Sequence, residues 1–154
     1  MPKSFSRQNS AKRRTHGKKQ YLVFISHSSS DRWIAEVIAE KIGSLGASCW
    51  LDEKNLEGGE VIVESIINGI DSCDEALVLI SPQSVQSQWV AFEIGGVRAQ
   101  HKRVTPILNN VRPDDMTPLK DIKGIDLNKF DRFLVHLNKR IKQRKSSQKK
   151  HHGL

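Results

Sequence analysis

An indole and a carboxylate lie four residues apart in the stretch SVQSQWVAFEIGGV, residues 84–97. Apolar residues recur there at helical spacing, so the stretch predicts a helix that begins near Ser84 or Ser87. Trp89 and Glu93 then project from the same side of that helix. A carboxylate on a largely apolar face is unfavourable unless it reaches water or has a partner. Glu93 is therefore either a glutamate at the rim of the fold or a carboxylate held in a cleft for chemistry.

The charges divide the chain into two basic ends and an acidic middle. The 154 residues include 25 bases and 17 acids, a formal net charge of +8. Residues 1–20 and 139–154 each hold seven bases and no acid, whereas residues 21–138 hold 11 bases against 17 acids, a net charge of −6. We predict a disordered basic arm over 1–20, one folded domain over 21–142 and a basic tail over 143–154.

The composition also limits the classes of partner. Basic ends can contact phosphate non-specifically, but an acidic body argues against specific recognition of nucleic acid. No apolar run precedes Gln20 and none reaches the ~20 residues of a membrane span, so we expect no signal peptide, no membrane partner and a cytoplasmic location. Cys49, Cys73 and the six histidines lack metal-ligand spacing, which predicts free thiols and no metal site.

Apolar strands and amphipathic helices alternate along the middle of the chain. The predicted strands cover 21–26, 47–52, 76–81, 103–108 and 121–127, and the helices between and after them cover 32–44, 60–73, 84–97 and 129–142. This alternation predicts an α/β fold with a five-stranded parallel sheet and helices on both faces. Right-handed crossovers favour the flavodoxin-like strand order 2-1-3-4-5.

Three local expectations concern the first helix and the fourth strand. Either Ser30 or Asp31 can cap the helix over 32–44, and Gly43 and Gly46 end it. Pro106 indicates that the fourth strand lies at or toward an edge of the sheet. The apolar residues of the first helix are expected to face the sheet, and they are Trp33, Ile34, Val37, Ile38 and Ile42.

The predicted strand order places a ligand crevice between the ends of the first and third strands. Residues 26–30 form one side of this crevice and residues 81–93 form the other, so Glu93 falls within it. The loops contain no GxGxxG, P-loop or GxSxG, which argues against a dinucleotide-binding fold, an NTPase and a serine hydrolase. A receiver domain would carry acids where this chain has His27, Ser28 and Ser81.

A single carboxylate limits the chemistry of the crevice. Ordinary glycosidases use a pair of acids. One acid is enough when the leaving group already carries positive charge, as nicotinamide does in oxidised NAD, because only the developing oxocarbenium ion must then be stabilised. His27 beside three serines could act as base and nucleophile, but adjacent loop residues rarely adopt that geometry.

Three motifs resemble the signatures of TIR (Toll/interleukin-1 receptor/resistance) domains over residues 21–142. YLVFISH, residues 21–27, resembles the first box. WLD, residues 50–52, and the loop that ends in Gly58-Gly59 resemble the second box and its BB loop, where the family often has a proline. SQWVAFE, residues 87–93, resembles the SxWxxxE of NAD-cleaving TIR domains, and free-standing bacterial members of that group include antiphage proteins of the Thoeris type.

The resemblance implies an NAD+ glycohydrolase or cyclase that releases nicotinamide and ADP-ribose or a cyclic ADP-ribose signal, in antiphage defence or NAD depletion. It implies Glu93 as the catalytic residue and NAD+ as a substrate, with no cofactor. The implied substrate-binding residues are Phe24, Ser26, His27, Trp50, Asp52 and Trp89. Other TIR protomers are expected to contact the loop over 53–59, and a separate effector protein would sense the product. Two alternatives stay open, a non-catalytic TIR adaptor and an N-glycoside enzyme of nucleotide salvage.

Overall fold

The computed structural model describes residues 19–54, 59–85, 102–112 and 124–152. Within these ranges the strands are β1 (Leu22–Ser28), β2 (Ser48–Lys54), β3 (Glu75–Ile80), β4 (Arg103–Leu108) and β5 (Ile125–Asp126). The helices are α1 (Arg32–Gly43), α2 (Gly59–Ser72) and α3 (Phe130–His152), with short 3-10 turns at Ser29–Asp31 and Leu127–Lys129. None of these described helices is both long and apolar enough to cross a bilayer.

The five strands form one parallel sheet in the order β2-β1-β3-β4-β5. The predicted strand order is therefore confirmed. Pro106 lies opposite Val78 of β3, in the strand next to the edge strand β5. That position agrees with the prediction that the proline marks a strand toward an edge, where a missing backbone donor is tolerated.

Side chains of β1 alternate between two apolar layers, as a strand with helices on both faces requires. Val23 and Ile25 pack in a cluster with residues of α1 and α3. Phe24 packs on the opposite face with Ile70 of α2. A Cβ at Gly69 would overlap the Phe24 ring, so the glycine allows α2 to lie close against β1. The prediction of helices on both faces is confirmed.

The buried face of α1 is narrower than predicted. Ile34, Ile38 and Ile42 are buried as expected, but Trp33 is 67% exposed and Val37 is 40% exposed. The prediction was wrong for these two residues because each step along a helix turns by about 100°, which places Trp33 and Val37 about 140° and 100° around the helix from Ile38. Ala35 takes the remaining inward position and is fully buried.

The two strands next to the predicted crevice are longer than their apolar runs. β1 continues through Ser28 and β2 through Lys54, because Ser26, His27 and Ser28 pair with Asp52, Glu53 and Lys54. The predicted loop over 53–59 is therefore too long at both ends, because Glu53 and Lys54 belong to β2 and Gly59 belongs to α2. Residues 55–58, at the centre of that loop, lie outside the described residues.

Helix α3 extends ten residues past its predicted end at 142. Arg140 donates from Nε and Nη2 to the two carboxylate oxygens of Glu75 at 2.8 and 2.9 Å. One turn later, Arg144 forms an ion pair with Asp74. These contacts tie the basic end of α3 to the sheet. Residues 143–152, which the charge pattern predicted to be part of a tail, are therefore helical.

The Glu75 carboxylate also accepts a hydrogen bond from the Tyr21 hydroxyl. Glu75 is 1% exposed, and a buried carboxylate is tolerated only when it is paired and hydrogen-bonded. Burial, and then the hydrogen bond to Glu75, raise the pKa of Tyr21. The phenol therefore stays protonated and remains a donor. Tyr21, Glu75 and Arg140 fasten α3 to the edge where β1 and β3 begin.

Candidate functional site

The carboxyl ends of β1, β2 and β3 meet at one edge of the sheet because the strands are parallel. In a doubly wound sheet this edge, at the point where the strand order reverses, is where ligands bind. The register places Phe24 beside Trp50, and Ser26 beside Asp52. An aromatic pair and a hydroxyl–carboxylate pair therefore follow one another along the same two strands.

The aromatic pair combines a fully buried ring with a partly buried one. Phe24 is 1% exposed, whereas Trp50 is only partly buried. Their ring centroids are 5.5 Å apart with the planes at 71°, an edge-to-face contact. Phe24, predicted to contact substrate, lies inside the core and supports Trp50. The indole is the member of the pair that reaches the surface.

His27 is held in one orientation by the backbone. The imidazole is 2% exposed, and its Nδ1 lies 2.8 Å from the carbonyl oxygen of Ser28. A carbonyl only accepts hydrogen bonds, so Nδ1 carries the proton in this contact. The Ser28 hydroxyl bonds to Ser30 and Asp31. The Ser28 hydroxyl therefore bonds to groups other than His27, which favours a structural role for the ring at the end of β1 over a Ser–His nucleophile pair.

Asp31 joins the ends of β1 and β3, a role that sequence reasoning missed. The carboxylate is 4% exposed and accepts from Ser28 Oγ at 3.1 Å and from Ser81 Oγ at 2.6 Å. Asp31 occupies the N-cap position of α1, one of the two positions predicted, but its side chain makes no cap bond there. The predicted strand order places the segments that carry Ser28 and Ser81 side by side. No local sequence pattern, however, identifies Asp31 as the partner of Ser81, which lies 50 positions away.

The chain leaves β3 through a tight serine turn. The backbone N–H of Ser81 donates to Ser84 Oγ at 2.9 Å, and the N–H of Ser84 donates to the Ser81 carbonyl at 3.0 Å. Ser84 is fully buried. Together with Asp31, this turn holds the segment from Ser81 to Ser84 against the end of β1. Trp89 and Glu93, the predicted substrate-binding and catalytic residues, lie outside the described residues.

An exposed ion pair borders the site beside β2. Arg32 Nε and Nη2 donate to the two carboxylate oxygens of Glu53 at 2.6 and 2.8 Å. The Arg32 side chain is 59% exposed, so water screens this pair and its contribution to stability is small. The pair ties the start of α1 to the end of β2, immediately before residues 55–58.

Both cysteines are free thiols away from this edge. Burial raises the pKa of Cys49 to about 12 and that of Cys73 to about 11. Thiols that stay protonated at neutral pH are weak nucleophiles and poor metal ligands. Among the described residues, no three His, Cys, Asp or Glu side chains are grouped as metal ligands.

The parallel order, the crevice and the box residues together define the class of this protein. A family model described as TIR domain matches residues 23–138, and the chain belongs to that family. The TIR domain of the Toll-related receptor TRR-2 from Hydra magnipapillata has the same fold, with a TM-score of 0.55 and 19% identity over 80% of this chain and 97% of that one.

Two relatives carry names that state an activity. The 2' cyclic ADP-D-ribose synthase BtTIR of Bacteroides thetaiotaomicron is 33% identical over 103 residues, or 64% of this chain. The NAD(+) hydrolase TcpA of Theionarchaea archaeon (strain DG-70-1) is 27% identical over 122 residues, or 70% of this chain. The chain spans 36% and 37% of the length of these two relatives.

Proposed function

We propose that this TIR domain cleaves the nicotinamide–ribose bond of NAD+ and releases nicotinamide with ADP-ribose or a cyclic ADP-ribose. The observation that carries the proposal is the register of β1 and β2, which aligns Phe24 with Trp50 and Ser26 with Asp52 at the ligand-binding edge. The sequence motif that ends in Glu93 and the activities named for BtTIR and TcpA support it.

In this reaction the protein has to orient the substrate and to stabilise the positive charge that develops on it. Nicotinamide leaves as a neutral base, so no acid has to protonate it, and positive charge develops on the ribose. In our proposal the Glu93 carboxylate stabilises this charge, and Trp50 provides a flat surface for a planar ring of the substrate. Ser26 and Asp52 lie two residues beyond Phe24 and Trp50 on the same strands, and in our proposal they bind ribose hydroxyls.

His27 and Asp31 act in this proposal as positioning residues. The buried imidazole keeps the end of β1 in place through its bond to the Ser28 carbonyl. Asp31 ties that end to Ser81 and thereby to the chain segment that leads toward Trp89 and Glu93. A rigid link of this kind matters because small displacements of a catalytic group lower the rate strongly.

The direct experiment is to incubate purified protein with NAD+ and to separate the products by chromatography. Nicotinamide must appear together with ADP-ribose or a cyclic isomer, and the ratio of the two reports whether water or an adenine nitrogen captures the ribosyl cation. Nucleosides serve as a second substrate set, because cleavage of nucleosides but not NAD+ would indicate a salvage enzyme. Binding of another TIR domain without any cleavage would favour an adaptor.

Replacing Trp50 with Ala is expected to lower kcat/KM for NAD+ about tenfold or more, since stacking of a base on an aromatic ring contributes about 1–3 kcal/mol. The melting temperature should fall only modestly, because the indole is only partly buried and packs at the margin of the cluster that contains Phe24. Trp33→Ala is the matched control, as Trp33 is 67% exposed on α1. Equal losses of activity in the two variants would remove Trp50 from the site.

Assembly with other TIR protomers through residues 53–59 is part of the proposal. Glu53 is already held by Arg32 at the end of β2 and Gly59 begins α2, so both ends of the segment are anchored. We expect the NAD+ turnover per molecule to rise with protein concentration. The measurement is specific activity over a wide dilution series alongside light scattering, and a constant specific activity in a verified monomer would contradict the idea.

The setting of the reaction also belongs to the proposal. We place it in the cytoplasm, where NAD+ is abundant and thiols such as Cys49 and Cys73 stay reduced. A cyclic product would act as a signal for a separate effector protein, in antiphage defence, whereas ADP-ribose would mark simple NAD depletion.

A further inference from the structure

Helix α3 runs from the ligand-binding edge of the sheet to the opposite edge. It begins at Phe130, shortly after β5 ends, and its Arg140 bonds to Glu75, the first residue of β3. The guanidinium carbon of Arg144 lies 5.6 Å from the centre of the Tyr21 ring, immediately before β1. At Arg144 the helix has therefore reached the edge where the strands begin, far from the crevice.

The helix continues for eight residues beyond its last ion pair with the sheet, to His152. At 1.5 Å per residue this extension is about 12 Å long. Residues 139–154 contain no acid, and residues 142–152 contain no apolar side chain. The two ion pairs through Arg140 and Arg144 fix the direction in which this basic segment leaves the domain.

Exposed lysines line one face of this part of α3, and we call this face the lysine face. Its members are Lys139, Lys142, Lys145 and Lys149. Their spacing of three, three and four residues keeps all four within about 120° around the helix, and the first and last lie about 15 Å apart along the axis. The acids with which α3 forms ion pairs, Asp74 and Glu75, are already bonded to Arg144 and Arg140.

The described chain also begins at this edge of the sheet. Gln20 bonds to the Gly46 carbonyl and to Ser48, so the chain enters β1 beside the start of β2. The sequence before Lys19 holds six bases and no acid. The described chain therefore begins, at Lys19 and Gln20, at the same edge as the basic part of α3, although the two are separated by more than 100 residues in sequence.

We propose that the lysine face binds the phosphate backbone of duplex nucleic acid without reading its sequence. A row of fixed positive charges matches a polymer that carries one negative charge per ~1.7 Å of its axis. A membrane surface fits less well, because helices that lie on bilayers bury an apolar face and residues 142–152 provide none. The absence of aromatic residues from the same stretch favours duplexes over single strands, which bind by stacking.

The test measures binding of a fluorescent, mixed-sequence DNA duplex by the full chain across a series of salt concentrations. In the variant K142Q/K145Q/K149Q we expect affinity to fall roughly tenfold or more near ~0.1 M salt. The slope of log K against log salt should become shallower by about 0.9 for each lysine that contacts a phosphate. Glutamine keeps helix propensity, so circular dichroism should be unchanged.

The matched control removes the same charge from exposed residues nearer the crevice edge, as R112Q/K129Q/R132Q. We expect its affinity for the duplex to stay close to that of the parent. Equal losses in the two triple variants would mean that only net charge matters, and would overturn the proposal. So would a parent chain that does not bind the duplex at low salt, or one that binds phosphatidylserine vesicles more tightly than the duplex.

Discussion

Replacing Glu93 with Gln is expected to slow NAD+ cleavage at least ~100-fold while the protein stays folded. The substitution preserves the volume and one oxygen of the side chain but removes its charge. In our proposal the lost interaction is the electrostatic stabilisation of an oxocarbenium ion by the Glu93 carboxylate, on the order of 3 kcal/mol. Because that charge exists only in the transition state, kcat should fall while KM changes little.

The measurement compares the parent, Glu93→Gln and Glu40→Gln at the same assembled concentration. Glu40 is exposed on α1, so its substitution removes the same charge away from the crevice. Circular dichroism and thermal melting establish that all three proteins are folded. If Glu93→Gln releases nicotinamide at the parent rate, the catalytic role assigned to this residue is wrong.

The largest expected loss of stability comes from removing Glu75. In Glu75→Ala the Arg140 guanidinium and the Tyr21 hydroxyl lose their buried partner. Breaking one side of a buried, hydrogen-bonded ion pair reduces the free energy of unfolding by about 3–5 kcal/mol. We expect about 3 kcal/mol, since 22% of the Arg140 side chain remains accessible to water. For a domain of this size the melting temperature should fall by about 6–12 °C.

Glu53→Ala provides the matched comparison for Glu75→Ala. Arg32 binds Glu53 with the same two-pronged geometry, but the Arg32 side chain is 59% exposed. Breaking this exposed pair should lower the free energy of unfolding far less than breaking the buried one. Equal stability losses in denaturant titrations of the two variants would show that burial does not control the strength of these pairs, and the role assigned to Glu75 in fastening α3 would be wrong.

The sequence alone determined the strand order and most of the layers. Apolar runs such as residues 76–80 predict strands buried on both faces, and the short links between strands and helices leave few arrangements of a parallel sheet. The strand order then located the crevice beside Ser26 and Ser81. The box residues added Trp50 and Asp52 through resemblance, and the register aligns both with β1. For Trp89 and Glu93 the sequence is still the only basis of the prediction.

Only the tertiary structure decided which polar residues are partners. Asp31 bonds to Ser81 across 50 positions, and Arg140 bonds to Glu75 across 65, so neither pair produces a local pattern. The same reason explains the length of α3. The composition of residues 143–152 is typical of a solvated tail, but Glu75 and Asp74, which are distant in sequence, bind Arg140 and Arg144 and stabilise this end of the helix. Periodicity reports which side of an element is apolar, whereas the end of a helix and the exposure of Trp33 depend on what other elements lie against it.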